Sequence, residues 1–131
     1  MVIVDSTVWI DFFNGVQNPE SAWLDIHLDQ QRLGLTTLIL YEVLLGVRHE
    51  RQATRVKAAL LECEVFETGS TGLALQAASH YRTLRDRGYT VRKPVDVLIA
   101  TFCLQERHSL LHRDLDFDPF ETLLGLSVVH P

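Results

Sequence analysis

The sequence predicts an α/β fold, a three-layer α/β/α sandwich around a mostly parallel sheet. Short runs that are apolar throughout, such as Val2-Ile3-Val4 and Leu110-Leu111, alternate with longer segments whose apolar residues recur at helical spacing. Strands apolar on both sides need helices over both faces, which is the arrangement of parallel sheets. No internal repeat, low-complexity stretch or Pro/Gly-rich linker interrupts the 131 residues. Residues 1–131 are therefore expected to form one domain, long enough to bury roughly two-thirds of its unfolded surface without staples.

The elements follow from the chain in order. Val2 to Asp5 reads as a short buried strand, after which Ser6 or Thr7 caps a helix carrying Trp9, Ile10, Phe12 and Phe13 until Asn14-Gly15 stops it. Pro19 and Glu20 open a second helix with Trp23, Leu24, Ile26 and Leu28. Leu33 to Thr36 is the second strand, and Thr37 caps a helix that runs through Leu45 to Gly46. His49 to Leu61 reads as a helix with Val56, Ala59 and Leu60 as its stripe, and Val65 to Glu67 as a short strand. From Thr71, the apolar residues Leu73, Ala74, Ala77, Ala78, Tyr81 and Leu84 mark a long helix ending near Gly88. Tyr89 to Arg92 is extended, and Pro94 starts a helix that is apolar on most sides from Val97 to Leu104 and is thus expected at the centre. Ser109 to Leu111 is the next strand, Phe117 to Leu124 is partly helical, and Leu126 to Val129 reads as a last strand.

Composition narrows the function. Two cysteines, Cys63 and Cys103, have neither metal-ligand nor disulfide spacing and read as buried thiols. No apolar run approaches the ~20 residues of a membrane span, and the first residues lack a signal-peptide pattern. The protein is therefore expected to be cytoplasmic, with no membrane partner. Its net charge is −5, from 12 Lys and Arg against 17 Asp and Glu. Neutralising four acids with metal would bring the two signs nearly into balance. Cations cluster at Arg48, Arg51, Arg55 and Lys57, and again at Arg82, Arg85, Arg87, Arg92 and Lys93. Arg82, Arg85, Arg92 and Lys93 are the candidate contacts to a nucleic-acid backbone; the competing reading is a solvated helix face.

Four acids carry the functional argument. Asp5 ends the first strand, Asp114 follows the strand at Ser109 to Leu111, Asp96 opens the central helix and Glu42 lies inside the apolar helix after the second strand. In an open parallel sheet, ligands gather outside the carboxyl ends of the strands, so these side chains are expected to converge. Capping or exposure explains each alone, except Glu42, whose neighbours Leu38, Ile39, Leu40, Val43, Leu44 and Leu45 make an unpaired carboxylate expensive. Converged carboxylates need a cation, and hard oxygen ligands select Mg²⁺ or Mn²⁺. Two such ions about 3.5 to 4 Å apart can activate water and stabilise the leaving oxygen of a phosphodiester. Asp116 alternates with Asp114 and is a candidate fifth ligand, while Ser6 and Thr7 are candidates for orienting a carboxylate. The six histidines show no zinc spacing, although His112 stands two residues before Asp114.

These residues resemble a known family. Val2-Ile3-Val4-Asp5-Ser6-Thr7, Glu42 within Thr37 to Gly46, Asp96-Val97-Leu98-Ile99-Ala100 and Leu110-Leu111-His112-Arg113-Asp114-Leu115-Asp116 are similar, in order and spacing, to PIN-domain ribonucleases. The likeness spans essentially the whole chain, and order, spacing and chain length are similar to the VapC-type toxins of type II toxin–antitoxin systems. It implies a Rossmann-like fold, a Mg²⁺- or Mn²⁺-dependent endoribonuclease and homodimerisation. It also implies a VapB-type antitoxin whose C-terminal segment covers the acidic pocket, and structured RNA, transfer or ribosomal, as substrate. By the resemblance Asp5, Glu42, Asp96 and Asp114 are the catalytic, metal-binding acids, and Asp116 matches an acid that some members use. His112 departs from the family, which often has Thr, Ser or Asn there. Two other functions use the same residues: a catalytically silent RNA- or partner-binding module, and a phosphatase built on Asp114-x-Asp116. The second is disfavoured because Asp5 lacks the acidic partner at Thr7 that the first strand of such an enzyme supplies.

Overall fold

A computed structural model describes all 131 residues. Four parallel strands form one sheet in the order β3-β2-β1-β4, with β1 at Val2–Val4, β2 at Leu33–Thr36, β3 at Glu64–Phe66 and β4 at Ser109–Leu111. The register places Ile3 beside Gly34 on one side and beside Leu110 on the other. Helices α1 (Ser6–Phe13), α2 (Pro19–His27), α3 (Thr37–Leu45), α4 (Glu50–Leu61), α5 (Thr71–Asp86), α6 (Pro94–Glu106) and α7 (Asp118–Leu124) complete the chain. Helix α5 packs on α6, and α1 packs on α2 and α3. The expected α/β/α sandwich is therefore present.

The core follows from strands that are buried on both faces. Ile3, Val4, Leu35, Leu110 and Leu111 are fully inaccessible, and from the helices Trp9, Leu24, Ile39, Leu60, Leu84 and Ile99 join them. Gly34 lies where β2 is tightest. A Cβ there would come within 2.8 Å of Met1 Sδ and 2.9 Å of both Ile3 Cδ1 and Phe66 Cε2. Gly34→Val is expected to lower stability by about 1–3 kcal/mol through overpacking, read as a fall in Tm of the metal-free protein.

Several boundaries differ from the sequence reading. The cap of α1 is Asp5 rather than Ser6 or Thr7, and the cap of α3 is Thr36 rather than Thr37, because each strand passes into its helix with no intervening loop. Strand β3 starts one residue earlier than expected. The strand anticipated at Leu126 to Val129 is reduced to one bridge, Val128 to Leu110. Leu110 N–H donates to Ser127 O at 2.8 Å and Val129 N–H to Leu110 O at 3.0 Å, so this terminal segment covers the β4 edge without extending the sheet. Cys103 is buried as expected, whereas Cys63 is only half-buried.

Candidate metal centre

The strand-to-helix junctions build the site at the carboxyl edge of the sheet. Asp5 N–H continues the ladder by donating to Leu111 O at 2.9 Å, and its side chain then starts α1. Asp5 Oδ2 accepts the Thr7 N–H at 3.1 Å and the Thr7 hydroxyl at 2.7 Å. Its other oxygen, Oδ1, is buried without a partner. Thr7 Oγ1 in turn accepts the Arg113 N–H at 3.1 Å, which ties the segment after β4 to α1. At the second junction, Thr36 Oγ1 accepts the Ile39 N–H at 3.2 Å and launches the helix that carries Glu42. Ser6 Oγ donates to Glu42 Oε1 at 3.2 Å. Ser6 and Thr7 thus each hold one of the expected carboxylates.

Glu42 differs from its expected setting in one respect. It is half-buried in a helix that is not enclosed, since Tyr41 is 64% exposed and Leu45 68% exposed. Its carboxyl is still pushed up, by burial first and then by the charge of Asp5.

Asp96 is the acid the fold isolates most. Pro94 supplies the first residue of α6, which places Asp96 in the first turn, 3% exposed, with Oδ2 buried and unpartnered. Across from it, Asp114 caps the single 3-10 turn Leu115–Phe117, its Oδ1 accepting the Asp116 N–H at 2.9 Å. Asp114 N–H donates to His112 Nδ1 at 3.1 Å, so the ring proton of neutral His112 resides on Nε2, which is itself buried and unpartnered. One carboxylate oxygen from each of Asp96, Asp114 and Asp116 lies within 4.8 Å of the other two. Asp116, the optional ligand of the sequence reading, is therefore part of the tightest group, and Asp5 and Glu42 lie outside it. They remain within electrostatic reach. Burial first, then the charges of Asp5 and Asp114 and, more weakly, Glu42, push the Asp96 carboxyl up to about 7 against the opposing charge of Lys93. Burial also raises Asp5, partly countered by its bonds to Thr7.

Only two of the four candidate cations reach these acids. Lys93 Nζ lies 3.4 Å from Asp114 Oδ2, and Arg92 contacts Asp116 through its backbone N–H at 3.3 Å and its Nε at 3.8 Å. Arg82 instead lines a groove with Tyr81, Pro94 and Leu98 between α5 and α6, and Arg85 sits over the Tyr81 ring at 5.9 Å. The pairing of Lys93 with Asp114 was missed by the sequence reading. Its only sequence signal is the Lys93-Pro94-Val95-Asp96 spacing, which sets Lys93 at the cap of the helix that carries Asp96.

The donor set fits a hard divalent cation. Asp96, Asp114 and Asp116 offer only carboxylate oxygen, and one oxygen each of Asp96 and nearby Asp5 is buried with nothing to bond. A parallel α/β/α sheet with such a carboxylate cluster at its carboxyl edge defines a class of Rossmann-like proteins that bind a divalent cation there. The PIN domain model matches residues 2–121, and the chain belongs to that family.

Relatives agree over nearly the full length. The chain is 24% identical over 128 residues to Ribonuclease VapC11 of Mycobacterium tuberculosis, with 96% of each chain covered. Among solved structures it resembles VapBC2 from Rickettsia felis bound to a DNA fragment from its promoter, with a TM-score of 0.77, 15% identity and 98% of both chains covered. It also resembles VapC20 of Mycobacterium tuberculosis, described as a Sarcin-Ricin loop cleaving toxin, with a TM-score of 0.73, 17% identity and all of both chains covered.

Proposed function

We propose that this chain is the toxin of a type II toxin–antitoxin system, an endoribonuclease that uses Mg²⁺ or Mn²⁺ and is inhibited by a VapB-type antitoxin. The observation that carries the reading is the group of Asp96, Asp114 and Asp116 within 4.8 Å, with unpartnered carboxylate oxygens on Asp96 and Asp5. The full-length similarity to a VapC ribonuclease supports RNA as the substrate. Structured RNA is the favoured class, in line with the VapC20 toxin. A homodimer is the favoured assembly. No helix is long and apolar enough to cross a membrane; the proposed site of action is the cytoplasm.

In this reading Asp96, Asp114 and Asp116 hold the cation, and Asp5 and Glu42 add oxygens and negative potential. When bound, the cation activates water and offsets charge on the phosphoryl oxygens. Thr7 fixes one oxygen of Asp5 so that the other stays free, and Ser6 keeps Glu42 turned toward Asp5. His112 accepts the Asp114 N–H and so sets the bend from which Asp114 and Asp116 project. Arg92 and Lys93 stand beside these acids, where cationic side chains meet the phosphates of an RNA strand.

The purified chain is expected to cleave structured RNA with Mg²⁺ or Mn²⁺ and to stop when a chelator is in excess, as read on a denaturing gel. Cleavage that continues in the chelator would sink the metal-dependent reading. RNA binding without turnover in either metal would favour the silent module instead.

A further inference from the structure

Lys93 has a role that phosphate contact alone does not describe. Its ammonium is 3.4 Å from Asp114 Oδ2 at the edge of the Asp96, Asp114 and Asp116 group. It is the only ammonium paired with those acids, and Arg92 adds a longer contact to Asp116. The Lys93 side chain is 59% exposed, whereas that of Asp114 is 16% exposed. A single long contact from an exposed, hydrated head group is weak and exchangeable. The charge itself still acts on the whole cluster.

We infer that Lys93 is a built-in counterion which a divalent cation must displace from Asp114, and which is then free to bind a phosphate of the RNA. This rests on the hard-cation reading of the site, which the buried Oδ2 of Asp96, without a hydrogen-bond partner and not reached by Lys93, supports separately. Two consequences of opposite sign follow. Removing the Lys93 charge removes both a competitor for Asp114 and a repulsion on the incoming ion, so metal binds more tightly. The same change removes a cation from the rim, so RNA is held more weakly. A lysine that merely braced the fold would not produce a gain in metal affinity when deleted.

The test compares Mn²⁺ binding by isothermal titration calorimetry for the full chain, Lys93→Met and Lys93→Arg, without RNA. Lys93→Met is expected to bind Mn²⁺ about threefold to tenfold more tightly, and Lys93→Arg to stay close to the original protein. At saturating Mn²⁺, Lys93→Met is expected to raise KM for RNA severalfold, while Lys93→Arg keeps most of the affinity. A Kd for Mn²⁺ in Lys93→Met that is unchanged or weaker overturns the counterion role while leaving the metal site standing. A full chain that takes up no Mn²⁺ or Mg²⁺ overturns the metal reading and this inference with it.

Discussion

Asp96→Asn is expected to reduce metal-dependent RNA cleavage by a hundredfold to a thousandfold or more while making the metal-free protein more stable. The first half follows from position. Asp96 is the buried member of the three-carboxylate group, and its Oδ2 has no partner within the protein. An amide in its place offers only a neutral carbonyl to the cation, and losses of this order are typical when a charge-stabilising group is removed from a reacting centre. The second half follows from electrostatics. At neutral pH the fold holds Asp96 among Asp5, Asp114 and Glu42, in surroundings that favour the neutral form. Asn has the same shape and no charge, so the repulsion and the desolvation of a carboxylate both disappear. A gel assay in Mn²⁺ and a thermal melt in chelator check the two halves separately. Full activity in the variant would remove Asp96 from the metal centre. Lost activity with a collapsed melt would mean that the residue is needed for folding instead.

This opposition between activity and stability explains why part of the site was legible in the chain. A carboxylate at the end of a buried strand, or at the head of a wholly apolar helix, is a local inconsistency, and such inconsistencies gather at functional sites. Asp5 and Asp96 could be found in this way, because short apolar strands and the Pro94 helix start fix where the carboxyl edge lies. Glu42 lies inside its helix as expected, but the enclosure expected for it held only in part. The apolar residues around it in sequence suggested full enclosure, yet Tyr41 and Leu45 point to solvent. Helical spacing alone does not say how much of a helix surface its neighbours cover. Asp116 was ambiguous because its position depends on a 3-10 turn that Asp114 itself caps, a contact between two candidate residues.

What the chain did not reveal was mostly tertiary. The terminal segment Leu126 to Val129 has the composition of a strand, but it meets β4 through little more than Leu110 and ends as a bridge. Nothing local distinguishes a covering segment from a fifth strand. The tie from Thr7 to Arg113 spans nearly the whole chain, and the contact of Lys93 with Asp114 joins a helix cap to a turn beyond β4. The first depends on β1 and β4 being neighbours in the sheet, the second on α6 packing against β4 and the turn that follows it. The sequence shows that strands exist, whereas their order comes from how the helices pack over them.

The stability of the metal-free protein should carry the titration of Asp96, and its sign is opposite to that of an ordinary surface aspartate. The folded-state value is about 7, against 3.8 for the unperturbed group. A carboxyl raised on folding contributes stability that is fully present below the unfolded value and is lost as pH rises through the folded one. Between about pH 4 and pH 7 the folded chain binds more protons here than the unfolded chain, and the loss approaches about 4 kcal/mol. Asp5 and Glu42 are raised as well and act in the same direction. Half-buried histidines oppose them at the acid end. His80, His108 and His112 are all lowered by burial, so their contribution is lost as pH falls through the range below 6.5. Comparing variants separates the two groups, because Asp96→Asn keeps the histidines and removes only the carboxyl. In chelator, the Tm advantage of Asp96→Asn over the original protein should be smallest near pH 4, grow up to about pH 7 and level off above it. Saturating Mn²⁺ should shrink or reverse that advantage at pH 8, since the ion stabilises the carboxylate form of the original chain. An advantage that stays flat across this range would mean that Asp96 ionises freely and that the acids are not crowded together as the fold places them.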